Sequence, residues 1–349
     1  MPSKWYAFAA LKDARDATEA LLRPVDRGRW LRLALIALFV GVGGGAPTGG
    51  NVNVPSGRGG SGVPPEMPAP SIPDVGSMAA VLLGIAALVV LLAILWSVAG
   101  AVMEFVLIAG LRDRDVSIRE PFRANVGPGL RLFGFRLAVG LGSLLVIGLP
   151  ILAVFGLGIS VSPVVLLLLV PLVMVFGVVA LLAGVALGLT TDFVVPTMLT
   201  EGLGVLDGWR RLWPTLRAEW KQTALYIVAK FVLGIAVGLA VSLVVLLAAL
   251  VVAIPFALVG GALFLAASAV GATTVGWVVG GALVALFVLV MIAVGLLVQV
   301  PALTFVRYYS LSVLGMLVPE LDLVGVDRSD GENGDDDDSP SPSGAVDAT

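Results

Sequence analysis

The chain contains a run from Leu137 to Thr191 in which no side chain carries a charge. A helix needs roughly 20 apolar residues to cross the hydrocarbon core of a bilayer, so this run is long enough for two crossings. Hydrophobic residues make up 58% of the chain and charged residues 13%, whereas soluble domains carry roughly 25% charged residues. These features predict an all-α protein, a polytopic membrane helical bundle with amphipathic helices at the interface.

Six apolar segments are long enough, or nearly long enough, to cross the membrane. The first is short for a crossing and would need a thinned bilayer or an extension past Arg32. The last two lie in residues 224–306, where Lys230 is the only charged side chain. We predict two spans there, because an even number leaves Arg307 on the same side of the membrane as the other basic segments. The sequence does not decide whether residues 254–276 form a loop, a re-entrant segment or an extra span. The predicted spans are 30–45, 78–108, 132–157, 164–189, 224–253 and 277–303.

Composition divides the chain into three regions. Residues 1–29 predict an N-terminal amphipathic cytoplasmic segment, and residues 30–316 a six-span membrane domain with a Gly- and Pro-rich external loop at 46–76. Residues 317–349 are rich in Asp, and for this acidic tail we expect disorder. The apolar face of the N-terminal helix is predicted to consist of Trp5, Phe8, Leu11, Leu21 and Leu22.

Basic residues are distributed unequally between the two sides of the predicted membrane domain. Of the 21 Lys and Arg residues, only Arg58 falls in a segment on the far side. Loops rich in Lys and Arg stay in the cytoplasm, so we expect a multi-pass protein of the cell membrane with both termini cytoplasmic. The few Lys residues and the run Asp335–Asp338 favour a salt-adapted source, the alternative being ordinary GC-rich codon bias.

The composition excludes many kinds of catalytic site. The chain has no Cys and no His, which removes disulfides, thiolate nucleophiles, imidazole bases and the usual transition-metal ligands. No pair of acids lies deep in a predicted span. We therefore expect no enzyme activity, no cofactor, no metal site and no nucleic-acid partner.

Two basic segments, 111–131 and 191–223, are predicted to lie at the membrane interface. Aligned without gaps, both carry an acid, an aromatic residue and a base, and then an aromatic residue where the next span begins. Arg can bind lipid phosphate while Trp lies at the headgroup level, although bases and aromatic residues in such loops also serve topology alone. A protein partner or self-association is a further expectation. The candidate lipid- or partner-binding residues are Arg119, Arg123, Trp209, Arg210, Arg211, Trp213, Arg217, Trp220 and Lys221.

Two segments resemble known families. The opening WYAFAALKDARDATEALLRPVDRGRWLRLALIALFVGVGGG, followed by a Gly/Pro loop, resembles an uncharacterised family of haloarchaeal multi-pass membrane proteins. The segment FVVPTMLTEGLGVLDGWRRLWPTLRAEWK is similar to the interfacial segment of the membrane domain fused to some glycerophosphodiester phosphodiesterases, and to related bacterial inner-membrane families. Neither resemblance implies an activity for this chain, because the phosphodiesterase reaction belongs to a separate soluble domain whose catalytic residues include His.

Few polar side chains lie at membrane depth, and each is costly to insert. Glu104 and Lys230 are predicted at similar depth in the cytoplasmic half, where they could form an ion pair. Alternatively, Lys230 extends to the interface along its own stem and Glu104 lies at the headgroup boundary. Asp192 and Gln299 complete this set. The leading hypothesis is a non-catalytic module that binds lipid headgroups or a partner; the alternative is a small-solute or ion transporter, which requires a water-accessible cavity that reaches the midplane.

Overall fold

A computed structural model describes residues 6–24, 26–43, 75–156 and 163–324. These residues form helices joined by short turns, and within these ranges there is no β-strand. Most of the predicted external loop and residues 325–349 of the predicted tail lie outside the described residues. The helices are α1 (Tyr6–Leu22), α2 (Arg27–Gly43), α3 (Val75–Asp113), α4 (Arg119–Ala124), α5 (Val126–Gly156), α6 (Pro163–Leu189), α7 (Val195–Glu201), α8 (Val205–Ala218), α9 (Trp220–Ala269) and α10 (Thr273–Leu317), with a π-helical segment at Thr190–Val194 between α6 and α7.

The prediction of an all-α membrane bundle is confirmed. Among the described residues, five helical stretches are long and apolar enough to cross a membrane. The first predicted span corresponds to α2, which has 17 residues and is shorter than these five. It packs against α3 and α10, and the rings of Phe39 and Trp96 lie 4.5 Å apart between α2 and α3. The five stretches are Ala80–Asp113, Val126–Pro150, Pro171–Glu201, Trp220–Ala269 and Thr274–Leu317.

The region 254–276, left open by the sequence, is almost entirely helical. Helix α9 continues through Pro255 to Ala269, and α10 begins at Thr273 after a tight turn in which Gly271 has a φ of 74°. The predicted boundaries at 253 and 277 were therefore wrong, because Pro255 is accommodated inside the helix. At about 1.5 Å per residue, the 50 residues of α9 extend about 75 Å.

The buried residues concentrate at one end of the bundle, which carries α1, α4 and α8 and is called the basic end below. There α1 packs against α10, and its buried side includes an alanine stripe formed by Ala7, Ala10, Ala14 and Ala17. The predicted apolar face of α1 was only partly right. Leu21 and Leu22 are buried, but the Phe8 side chain is 64% exposed. Small alanine side chains, and not Phe8, take the side of α1 that faces the bundle.

Two predicted boundaries at the basic end differ from the structure. Residues 191–198, predicted as the start of an interfacial segment, are almost wholly buried and continue α6 through the π-helical segment into α7. The interfacial helix in this region is α8. Residues 317–324 of the predicted tail are also ordered: a 3₁₀ turn follows α10 at Pro319–Leu321, and the Leu321 and Val324 side chains are buried.

Candidate functional site

Charged side chains from five helical segments meet inside the basic end, and we call this group the charge layer. It consists of Glu104 on α3, Arg136 on α5, Asp192 in the π-helical segment, Lys230 on α9 and Arg307 on α10. Each residue lies nine or ten positions from the terminus of its helical stretch at the basic end, which corresponds to about 14 to 15 Å of helix. The five helices thus place their charges at one level.

Acids and bases alternate along the charge layer. Lys230 forms an ion pair with Asp192. Arg307 joins the two acids, with Nη1 at 3.4 Å from Oδ1 of Asp192 and Nη2 at 2.5 Å from Oε2 of Glu104. Arg136 Nη2 lies 3.2 Å from Oε1 of Glu104. Each buried acid therefore contacts two bases.

Hydroxyl groups and aromatic rings complete the surroundings of Asp192. The Tyr226 hydroxyl donates to Oδ2 of Asp192 at 2.8 Å and lies 3.0 Å from Oγ of Ser310. Its ring packs between Phe193 and Tyr309, at centroid distances of 4.8 and 5.8 Å. Because buried charges are tolerated only with good ion-pair geometry and additional hydrogen bonds, these contacts explain how the layer is accommodated.

The ion pair suggested between Glu104 and Lys230 is not formed directly. The two side chains lie at similar depth, as expected, but Asp192 and Arg307 stand between them in the chain of contacts. Asp192 was visible from sequence as an acid at membrane depth. From sequence, Arg136 and Arg307 were interpreted only as bases that keep their segments on the cytoplasmic side. Nothing in the local sequence distinguishes an arginine whose side chain points into the bundle from one that points to solvent.

The three central residues of the charge layer are closed to solvent, while Arg136 and Lys230 at its two ends are each 11% exposed. The side chains of Glu104, Asp192 and Arg307 are 0%, 2% and 5% exposed. Two open grooves, of about 570 and 540 Å³, lie between α9 and α10 and beside Trp30, and no charged residue lines either of them. Within the described ranges, no group of three or more acids is placed to hold a metal ion. The layer has the geometry of a structural core.

Helix α8 covers the π-helical segment from outside. Its buried face contains Val205, Gly208, Leu212 and Leu216. A Cβ atom on Gly208 would lie 2.8 Å from Cγ1 of Val194, so the glycine allows α8 to approach closely. These contacts fix one face of the helix and leave the remainder outside the core.

A second stripe of α8 is exposed, and we call it the α8 stripe. It comprises Leu206, Arg210, Trp213 and Arg217, and Trp220 at the start of α9 continues the spacing. Steps of four and three residues keep the four residues of α8 within about 40° of one line on a helix, and Trp220 follows after the helix break at Glu219. Trp213 and Trp220 are 57% and 62% exposed. The α8 stripe therefore alternates large apolar side chains with arginines.

The bases on and beside the α8 stripe differ in their partners. Arg210 pairs with Asp207 at 3.2 Å. Within the described part of the chain, neither Arg217 nor Lys221 has an acidic partner. The Lys221 ammonium instead lies 5.9 Å from the centre of the Trp220 ring. Both charges are available to an external anion.

The other candidate residues take separate places. Arg211 lies off the stripe and pairs with Glu201 and Glu320, at 3.6 and 2.6 Å. Trp209 is half-buried and donates from Nε1 to the Thr190 hydroxyl at 3.0 Å. This bond links α8 to the π-helical segment, and thereby to the charge layer two residues farther on.

Arg119 and Arg123 belong to the short helix α4, on the α3–α5 connection. Both are exposed, and α4 has no buried residue of its own. The helix contrasts with α8, its counterpart in the sequence alignment, which is more than twice as long and has a buried face. The two segments that align in sequence thus differ in structure.

A model of one protein family matches residues 5–324, which include the charge layer, α4 and α8. It is described as a family of unknown function, DUF7544. The chain belongs to the DUF7544 family. No curated protein and no solved structure matches the chain. Membership in DUF7544 therefore agrees with the expectation of an uncharacterised family, and function has to be argued from the geometry of this chain.

Proposed function

We propose that this DUF7544 protein is a non-catalytic membrane module that binds anionic lipid headgroups through the α8 stripe. The proposal rests on one observation: Arg217 and Lys221 are exposed beside two exposed tryptophans and lack acidic partners in the described structure. We further propose that the protein resides in the cell membrane with the basic end and both termini in the cytoplasm, and that its source is a salt-adapted archaeon.

The chemistry of the α8 stripe suits a phosphate-bearing headgroup. A guanidinium group can form two parallel hydrogen bonds to phosphate oxygens, and the indole rings of Trp213 and Trp220 prefer the headgroup level of a bilayer. Attraction of one base to an anionic membrane surface is worth about 1 kcal/mol. In molar salt the Debye length is about 3 Å, so direct contact at hydrogen-bond distance would dominate over long-range attraction.

The transporter hypothesis receives less support from the described structure. A transport pathway needs polar groups that water can reach at membrane depth. The charges at that depth pair with one another in a closed layer, and the two open grooves are lined without charged residues. Lipid binding is therefore the function that we put to the test.

Quenching of tryptophan fluorescence by brominated lipids measures the proposed binding. The protein is reconstituted in phosphatidylcholine bilayers that contain brominated phosphatidylglycerol or brominated phosphatidylcholine. The difference between the wild type and Trp213→Phe/Trp220→Phe isolates the signal of the α8 stripe. We expect a phosphatidylglycerol preference of about fivefold for each base that binds, from about 1 kcal/mol per base.

Charge variants supply the decisive comparison. Arg217→Gln/Lys221→Gln should bring the preference close to one. The matched control Lys12→Gln/Arg15→Gln removes two exposed bases from α1 and should leave the preference unchanged. A preference that survives the first variant, or that falls equally in both, would show that headgroups do not bind at the α8 stripe.

A further inference from the structure

The C-terminal segment of the chain begins next to α8. After α10 ends at Leu317, the 3₁₀ turn at Pro319–Leu321 places Oε2 of Glu320 at 2.6 Å from Nη2 of Arg211. Leu321 and Val324 are buried, so the chain is fixed to the body up to this point. Residues 325–349 thus start from an anchor that already contacts α8.

The charge of this segment is opposite to that of the α8 stripe. Residues 325–349 carry eight acidic side chains, four of them consecutive at Asp335–Asp338, and a single base, Arg328. The exposed bases Arg217 and Lys221 have no acidic partner in the described part of the chain. The polyanionic segment is therefore attached to the body beside the helix that carries these unpaired bases.

The geometry allows the two to meet without strain. Arg211 and Lys221 are ten residues apart along α8 and the start of α9, which corresponds to about 15 Å of helix. The chain is held in place as far as Val324, and the eleven residues from there to Asp335 can span about 36 Å when extended. The acidic run can reach every base of the stripe from its anchor.

We propose that the acidic segment 325–349 binds the α8 stripe of its own chain, with its carboxylates at Arg217 and Lys221. Anionic headgroups would compete with it for these bases; only this competition rests on the proposed lipid binding, whereas the contact itself does not.

Zero-length cross-linking with a carbodiimide tests the contact in the full-length, detergent-solubilised protein. The reagent joins an amine to a carboxylate in direct contact, and the chain has only four lysines, Lys4, Lys12, Lys221 and Lys230. Lys221 and Lys12 are both exposed, on α9 and α1. We expect Lys221 to be joined to peptides from 325–349 in much higher yield than Lys12, and Asp335→Asn/Asp336→Asn/Asp337→Asn/Asp338→Asn to lower that yield.

Lipid and isotope controls separate the two parts of the proposal. Excess phosphatidylglycerol should lower the Lys221 yield about fivefold, the factor expected from the attraction of one base to an anionic surface, whereas phosphatidylcholine should not. A Lys221 yield no higher than that of Lys12 would overturn the contact. So would light–heavy cross-links in the proportion expected for random pairing of copies in an isotopically mixed sample, because the segment would then bind a second molecule. An intramolecular cross-link that phosphatidylglycerol does not reduce would support the contact and contradict lipid binding.

Discussion

Replacing Arg307 with Met should destabilise the bundle more than any other single change in the charge layer. The guanidinium group contacts both Glu104 and Asp192 and is 5% exposed. Removing one partner of a buried ion pair costs about 3 to 5 kcal/mol, because the acid that remains is buried without compensation. Lys230→Met should cost less, about 1.5 to 3 kcal/mol, because Asp192 keeps its contacts with Arg307 and Tyr226.

The pairing pattern makes a sharper prediction than either single variant. In a double-mutant cycle, the effects of Glu104→Gln and Arg307→Met on the free energy of unfolding should be coupled by about 2 to 3 kcal/mol. The reason is that the second substitution removes the charged partner that the first leaves buried and unpaired. Glu104→Gln and Lys230→Met should be coupled more weakly, because these side chains are joined only through Asp192 and Arg307.

Equilibrium unfolding in mixed detergent–SDS micelles, followed by tryptophan fluorescence and circular dichroism, provides the free energies. Arg210→Gln is a matched control, since its pair with Asp207 is exposed and such pairs contribute about 0 to 1 kcal/mol. The reasoning would be refuted if Arg307→Met cost no more than Arg210→Gln, or if the effects of Glu104→Gln and Arg307→Met were additive.

Three further substitutions test the packing at the basic end, each by the same unfolding measurement. Gly129→Val should prevent the close crossing of α3 and α5, because even a Cβ atom there would lie 2.9 Å from the Cα of Val102; a wild-type free energy of unfolding would contradict this. Trp209→Phe keeps a ring but loses the bond to Thr190, and should cost about 0.5 to 1.5 kcal/mol; no loss would mean that the bond does not stabilise α8. Ala14→Leu overfills a fully buried position of α1 and should cost about 1 to 3 kcal/mol; a gain in stability would show that α1 is not tightly packed at this position.

The sequence was informative about the bundle because membrane insertion depends on the composition of whole segments. Long apolar runs without charge predict helices wherever they occur, and the five longest were found close to where hydropathy placed them. Their ends were harder to predict. Pro255 indicated a break, but it lies within α9, since neighbouring groups can satisfy the carbonyl that a proline frees.

The charge layer was only partly predictable from sequence, since it depends on which way a side chain faces after the helices pack. Glu104, Asp192 and Lys230 were notable because each stands among apolar residues. Arg136 was grouped with a basic segment although it lies within the predicted span 132–157, and Arg307 follows the last apolar run, so both were interpreted only as topology signals. The alanine stripe of α1 was missed for a related reason: alanine contributes little to an apolar pattern, yet it permits the closest helix packing.

The central claim is that Arg217 on the α8 stripe and Lys221 beside it contact lipid phosphates, and solid-state NMR at Lys221 tests it most directly. Protein labelled with ¹⁵N at the lysine Nζ is reconstituted in phosphatidylglycerol bilayers, and the dipolar coupling between Nζ and the lipid ³¹P is measured. With only four lysines in the chain, the signals can be assigned by Lys221→Gln and Lys12→Gln. We predict a contact at hydrogen-bond range that Lys221→Gln abolishes and Lys12→Gln leaves intact. A coupling that is absent from the wild type, or unchanged in Lys221→Gln, would contradict the proposed binding.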